Sequence, residues 1–162
     1  MMQIILIRHA PAQAQAQADE LRPLSEQGII KMRHNIIGLK KNVPSIQTIA
    51  HSPLQRAQQT AELLISAYPK AHQETLPALA PGGLSMAVLA YLQEQAETTL
   101  TMALVGHEPD LGELATWLLT GHRAHWLPLK KGGACLLAFW GKIEVGQAQL
   151  CWLLKPRQLR SF

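Results

Sequence analysis

Ile4-Ile5-Leu6-Ile7, followed at once by Arg8-His9-Ala10-Pro11, is the stretch that decides the fold. A continuous apolar run rich in β-branched residues is what a parallel strand covered on both faces requires; a strand with one wet face alternates instead. The run is far too short for a signal-peptide core or a membrane span. Two similar runs lie further along the chain, Ile46 to Ala50 before His51-Ser52-Pro53 and Met102 to Val105 before Gly106-His107-Glu108-Pro109. Ala134 to Trp140 and Gln147 to Leu154 flank a Gly141–Gly146 turn region and predict an antiparallel hairpin.

Helical patterns fill the intervals. Ser25 is a good N-cap for a helix carrying Ile29, Met32, Ile36 and Leu39 on one face, and Asn42-Val43-Pro44 ends it. Ser52, Pro53 and Gln55 predict a capping box, with Leu54, Ala57, Ala61 and Leu64 as the buried stripe. Leu84, Val88, Tyr91 and Leu92 predict a third helix after a loop marked by Pro77, Pro81, Gly82 and Gly83. Pro109 opens a fourth helix with Leu111, Leu114, Ala115 and Leu118 on one face. The Ala-Gln alternation from Ala12 to Ala18 reads as a surface loop. Strands alternating with helices predict an α/β fold, a three-layer α/β/α sandwich around a mostly parallel central sheet with an antiparallel edge.

The 162 residues fit one domain over 1–162, against a usual ~100–200 residues per domain. Hydrophobic residues make up 48% and charged residues 16%, which excludes intrinsic disorder as the main state. Fifteen Lys and Arg against eleven Asp and Glu give +4, a lean towards an anionic partner. Cys135 and Cys151 have no CxxC or zinc-type spacing and read as buried thiols of a reducing compartment, with a disulfide left open. The expected location is the cytoplasm, with no membrane association; oligomeric state is not read from the chain.

In parallel sheets ligands bind outside the carboxyl ends of the strands. Three predicted strand ends carry the same kind of residue: Arg8-His9, His51-Ser52 with Arg56 nearby, and His107-Glu108. Together they make a cationic pocket suited to a tetrahedral phosphate held by charge-assisted hydrogen bonds. Arg56 adds a second hint. A cation in the first turn of a helix sits at the wrong end of the dipole, costing about 0.3–1 kcal/mol, and a bound anion reverses that sign. His9 is the candidate nucleophile, because a neutral imidazole can attack phosphorus and split one hard transfer into two steps. Arg8 and His107 could neutralise the equatorial oxygens, His107 either as a cation or as a donor from a neutral tautomer.

Leu6-Ile7-Arg8-His9-Ala10, Ser52-Pro53-Leu54-Gln55-Arg56-Ala57-Gln58-Gln59-Thr60-Ala61 and Val105-Gly106-His107-Glu108-Pro109 resemble the three ordered motifs of the histidine phosphatase (phosphoglycerate mutase-like) superfamily. The short length and Leu21-Arg22-Pro23-Leu24-Ser25-Glu26-Gln27-Gly28 look like its small SixA-type phosphohistidine phosphatase branch. The resemblance implies that His9 is the phosphorylated nucleophile and that Arg8, Arg56 and His107 hold the phosphoryl group; Arg22 is left open between approaching substrate from the first loop, as in similar small relatives, and a plain surface arginine. It implies no cap domain, no metal and no organic cofactor. The expected substrate is a phosphorylated protein carrying phosphohistidine, or else a small phosphate ester.

Two positions depart from the family pattern. Ala10 replaces a common glycine, and His51 stands where serine is frequent, its role left open between catalysis and a backbone-bonded strand end. For the general acid the candidates are Glu108, Asp19 or none. His34, His72, His122 and His125 are expected to be structural or solvent-facing. Trp117, Trp126, Trp140 and Trp152 are expected in the core or at its edge. Two other classes stay in view: a metal-dependent hydrolase using His9, His51 and His107, and an anion- or nucleic-acid-binding module. Nucleic acid is not expected as a partner, because the chain lacks a basic tract or interleaved aromatics.

Overall fold

The computed structural model describes residues 1–96 and 100–162. The apolar run near the N-terminus forms β1 (Met2–Arg8), and its alternate residues enter two different cores. Ile4 and Leu6 face one cluster, Ile5 and Ile7 the other. All four are buried, as a strand covered on both faces demands.

The other elements are α1 (Glu26–Asn42), β2 (Thr48–His51), α2 (Gln55–Ala67), β3 (His72–Thr75), α3 (Ser85–Gln95), β4 (Thr101–Gly106), α4 (Asp110–Thr120), β5 (Ala134–Phe139), β6 (Gln149–Leu154) and α5 (Pro156–Leu159). Among the described residues the strands form one sheet in the order β3-β2-β4-β1-β5-β6. The first four are parallel to their neighbours, and β5 and β6 run antiparallel. Helices cover both faces. Met32, Ile36 and Leu39 of α1, Ala57, Ala61 and Leu64 of α2 and Leu159 of α5 pack on one side; Val88 and Leu92 of α3 and Leu111, Leu114 and Leu118 of α4 pack on the other. The result is the expected three-layer sandwich, with no cap among the described residues.

Two local features set the first loop. The Ser25 side chain caps α1 by accepting from Gly28 N at 3.0 Å, while Lys40 and Lys41 lie in the last turn, matching the helix dipole. Gly28 is required by a close approach: a Cβ there would lie 2.0 Å from the Pro11 carbonyl oxygen.

Three expectations need correction. The capping box at Ser52 does not form, because the backbone stays extended at Leu54: α2 starts at Gln55 with Leu54 as N-cap and no side-chain cap, and the Ser52 hydroxyl lies against the His107 ring. Trp126 and Trp140 are 63% and 68% exposed, on segments outside the two cores. Cys151 is exposed, since β6 is the sheet edge; Cys135 is buried, and both are free thiols. Among the described residues, no helix is long and apolar enough to cross a membrane.

Candidate active site

The strand order places β4 between β1 and β2, and the register makes their carboxyl ends level. Ile7 pairs with Val105, which pairs with His51; Arg8 pairs with Gly106. The next residues, His9, Ser52 and His107, therefore emerge side by side. Backbone bonds hold the three ends beyond the sheet: His9 N donates to Gly106 O at 3.0 Å, Ser52 N to Val105 O at 2.9 Å.

Helix α2 brings in the fourth residue through Thr60. Its hydroxyl donates to Arg56 O at 2.7 Å, one turn back, and accepts from Ala10 N at 3.1 Å. One fully buried side chain thus ties the end of β1 to the turn that carries Arg56. Ala10 fits without strain, because no residue other than glycine has a positive φ among those described. On the opposite side Gly132, at φ 75°, donates to both Arg8 O and His9 O, a conformation that favours glycine.

His9, Arg56 and His107 are buried and Arg8 is half-buried, and each is oriented and left with a donor or lone pair to spare. The His9 ring lies with Nδ1 2.7 Å from Ala10 O. A carbonyl only accepts, so Nδ1 carries the proton and Nε2 keeps its lone pair. Burial, reinforced by the His107 ring and by Arg56 and Arg8, pushes His9 down to about 3. The ring is neutral at pH 7. His107, with its ring centroid 5.1 Å from that of His9, is pushed down to about 4 by burial and then by Arg56, against the opposing pull of Asp19.

Arg8 Nη1 donates to the Leu129 carbonyl at 2.9 Å. Arg56 donates through Nη1 to Asp19 O at 2.8 Å and through Nη2 to Asp19 Oδ2 at 3.0 Å. Arg8 Nε, Arg56 Nε and His107 Nδ1 are buried polar atoms with no hydrogen-bond partner. Buried donors are almost always paired, so three unpaired ones at the ends of β1, β4 and α2 need an acceptor-rich occupant. A tetrahedral oxyanion supplies one.

The remaining predicted residues fall in different places. Arg22 lies at the rim; its Nε donates to Asp19 Oδ1 at 2.7 Å and its Nη1 to Gln13 O at 3.1 Å. Asp19 thus bridges Arg22 and Arg56, and these hydrogen bonds, Arg22 first, hold its carboxyl below the usual range. Glu108 points away from a proton-donating role: Oε1 accepts from Leu129 N at 3.2 Å and Oε2 pairs with His125. His125 therefore has a partner that its sequence neighbours did not reveal. His51 is fully engaged, Nδ1 donating to Ser52 O at 2.8 Å and Nε2 accepting from Gln73 at 3.2 Å. The strand-end reading of His51 is the one its bonds support. Among the described residues no three His, Cys, Asp or Glu side chains gather as a metal-binding group, so His9, His51 and His107 do not form the metal-ligand set considered above.

Residues 4–81 match the model of the histidine phosphatase superfamily, branch 1. Phosphohistidine phosphatase SixA of Escherichia coli (strain K12) is 33% identical over 161 residues, covering 98% of this chain and 97% of the relative. The chain belongs to the histidine phosphatase superfamily. A solved structure of the protein histidine phosphatase SixA complexed with tungstate places it in the SixA branch, with a TM-score of 0.86, 28% identity and coverage of 98% of this chain and 99% of that one. An uncharacterised protein of Picosynechococcus sp. is 37% identical over 135 residues, 82% of each chain. The superfamily supplies the chemistry that the geometry calls for, and this histidine phosphatase is a phosphatase. The sequence offers no role for Thr60 or Leu129 and only a helix cap for Ser52; the bonds across the strand ends reveal what each of them ties together.

Proposed function

We propose that this chain is a protein phosphohistidine phosphatase that works through a phosphorylated His9, without metal or organic cofactor. The observation that carries the reading is the set of unpaired buried donors, Arg8 Nε, Arg56 Nε and His107 Nδ1, close to a neutral His9 whose Nε2 lone pair is free. In the first step the His9 Nε2 lone pair forms a bond to phosphorus as the bond from phosphorus to the substrate's imidazole nitrogen breaks. Arg8, Arg56 and His107 meet the charge on the equatorial oxygens, where positioning and electrostatics do most of the catalysis. The Ala10 carbonyl, accepting from Nδ1–H, stabilises the positive charge that develops on the His9 ring. In the second step a water oxygen bonds to phosphorus, the Nε2–P bond breaks, and inorganic phosphate leaves.

The substrate class is argued from the missing acid. Glu108 is tied to Leu129 N and His125, and Asp19 is held as an anion by Arg22 and Arg56. An alkoxide leaving group needs a proton from the enzyme far more than an imidazole does, so phosphoramidates suit this site. The absence of a cap leaves the strand ends open to a protein-borne phosphohistidine. The SixA relatives, one of them holding the tetrahedral oxyanion tungstate, support both points. We assign Arg22 to the rim of the phosphate site, a bond away from Arg56 through Asp19.

The test is acid-labile phosphate trapping on wild type and His9→Ala with a phosphohistidine protein as donor, alongside a phosphoserine peptide and a small phosphate ester. Label on wild type alone, with turnover of the phosphohistidine donor well above the others, is the expected result. Label and turnover in His9→Ala overturn the nucleophile, and equal turnover of the phosphoserine peptide overturns the substrate class.

A further inference from the structure

His107 has two ring nitrogens in different circumstances. Nε2 lies 2.7 Å from Ser52 Oγ, while Nδ1 is buried without a partner. Ser52 is fully buried, held at the end of β2 by its own N–H on Val105 O. Its Oγ already accepts the Leu54 N–H at 3.3 Å, so the hydroxyl hydrogen is free for its other contact, the His107 ring. A hydroxyl that donates to Nε2 makes Nε2 the lone-pair atom, and a neutral ring then carries its proton on Nδ1. The reverse arrangement leaves a buried hydroxyl hydrogen without an acceptor and presents a lone pair at Nδ1, which repels a phosphoryl oxygen.

We propose that Ser52 is a positioning residue whose hydroxyl fixes His107 as the neutral Nδ1–H tautomer, making it an uncharged hydrogen-bond donor to the phosphoryl group. The inference rests on the phosphatase reading of the site and assigns the protonation form in which His107 acts. The charged and titratable groups around the ring are Arg8 and His9 from the end of β1, Arg56 from α2, Asp19 and Arg22 from the first loop and Asp110 from α4. The two arginines flanking the pocket oppose a third cation, so a neutral donor adds a hydrogen bond without adding to their repulsion.

The experiment combines ring ¹⁵N spectroscopy of His107 with kinetics of Ser52→Ala and Ser52→Thr. In wild type at pH 7.5 the His107 signals should report Nδ1–H with an unprotonated Nε2, and in Ser52→Ala they should move towards Nε2–H. With a phosphohistidine donor, Ser52→Ala should lose about a hundredfold in kcat/KM at pH 7.5, the lower end of the range for one transition-state donor. Its deficit should shrink as pH falls and the ring regains a proton on both nitrogens, and Ser52→Thr should keep the wild-type tautomer. An Nε2–H signal in wild type overturns the inference whatever the activity. So does a Ser52→Ala protein that keeps the Nδ1–H signal, or one whose deficit is the same at every pH. Failure of the phosphatase reading is distinguishable, because it shows as tungstate binding without turnover of any phosphorylated donor, while the tautomer is read from the resting protein.

Discussion

Lowering the pH from 7 to 5 should destabilise this protein through two histidines that it buries in neutral form. His9 is pushed down to about 3 and His107 to about 4, each from an ordinary value of 6.5. At pH 7 both rings are largely neutral, folded or unfolded, and their protonation hardly affects stability. Below pH 6.5 the unfolded chain takes up two protons that the folded chain refuses, so stability falls with pH. Each ring costs about 1.4 kcal/mol per pH unit, or about 2 kcal/mol at pH 5, and the pair about 4 kcal/mol. That is a large part of the about 5–15 kcal/mol by which a domain is stable. The slope should halve once the pH passes about 4, where folded His107 takes up its own proton.

Urea unfolding followed by circular dichroism at pH 7 and pH 5 measures the loss directly. The control is the double variant His9→Gln, His107→Gln, which removes both rings. Its stability should fall by at least about 3 kcal/mol less than wild type over the same interval. An equal fall in both proteins would refute the reasoning, because the acid sensitivity would then lie outside the pocket.

Two substitutions test the supports around the site. Glu108→Gln keeps an oxygen that can accept from Leu129 N and should hold activity within about threefold, whereas Glu108→Ala frees Leu129, and with it Arg8, and should lose about tenfold; equal losses in both would restore Glu108 as a general acid. Thr60→Val preserves the shape of a fully buried side chain but strips the acceptor from Ala10 N–H, costing about 1–3 kcal/mol in urea unfolding, and a change under about 0.5 kcal/mol would remove Thr60 as the tie between β1 and α2.

What could be read from the sequence follows from how far each signal reaches along the chain. β1 and β4 were legible because a strand buried on both faces needs a run of apolar residues with no gap. β3 was not: His72-Gln73-Glu74-Thr75 is a polar edge strand held by backbone bonds to β2, and it carries no apolar pattern. α5, four residues long, leaves no periodicity to detect. The convergence of Arg8, His9, Arg56 and His107 was legible because each ends or follows a strand or starts a helix, and parallel topology converts those positions into neighbours. Glu108 was ambiguous because its partners, Leu129 and His125, lie 21 and 17 residues away and answer to no local rule. Ser52 was misread for the same reason. A capping box is a contact within one turn, but the backbone stays extended to Leu54 and the Ser52 hydroxyl meets a residue 55 positions away across the sheet end.

The way the cations are held bears on why the pocket suits an anion that arrives and leaves. A carboxylate partner would orient an arginine and cancel its charge together, whereas a neutral acceptor orients it and leaves the field intact. Arg8 is held by the Leu129 carbonyl, His9 by the Ala10 carbonyl and His107 by the Ser52 hydroxyl, all neutral partners. The carboxylate nearest to Arg8, Glu108, acts one peptide removed, by fixing Leu129 N. Arg56 is the exception, paired with Asp19, yet that carboxylate is 59% exposed and shared with Arg22. Arg56 itself is buried, but water reaches Asp19 and Arg22 draws on the same carboxylate, so the counter-charge offered to Arg56 is only partial. Preorganisation by neutral groups and a single exposed counter-charge together give a site whose donors are fixed before substrate arrives and whose charge is still available to it.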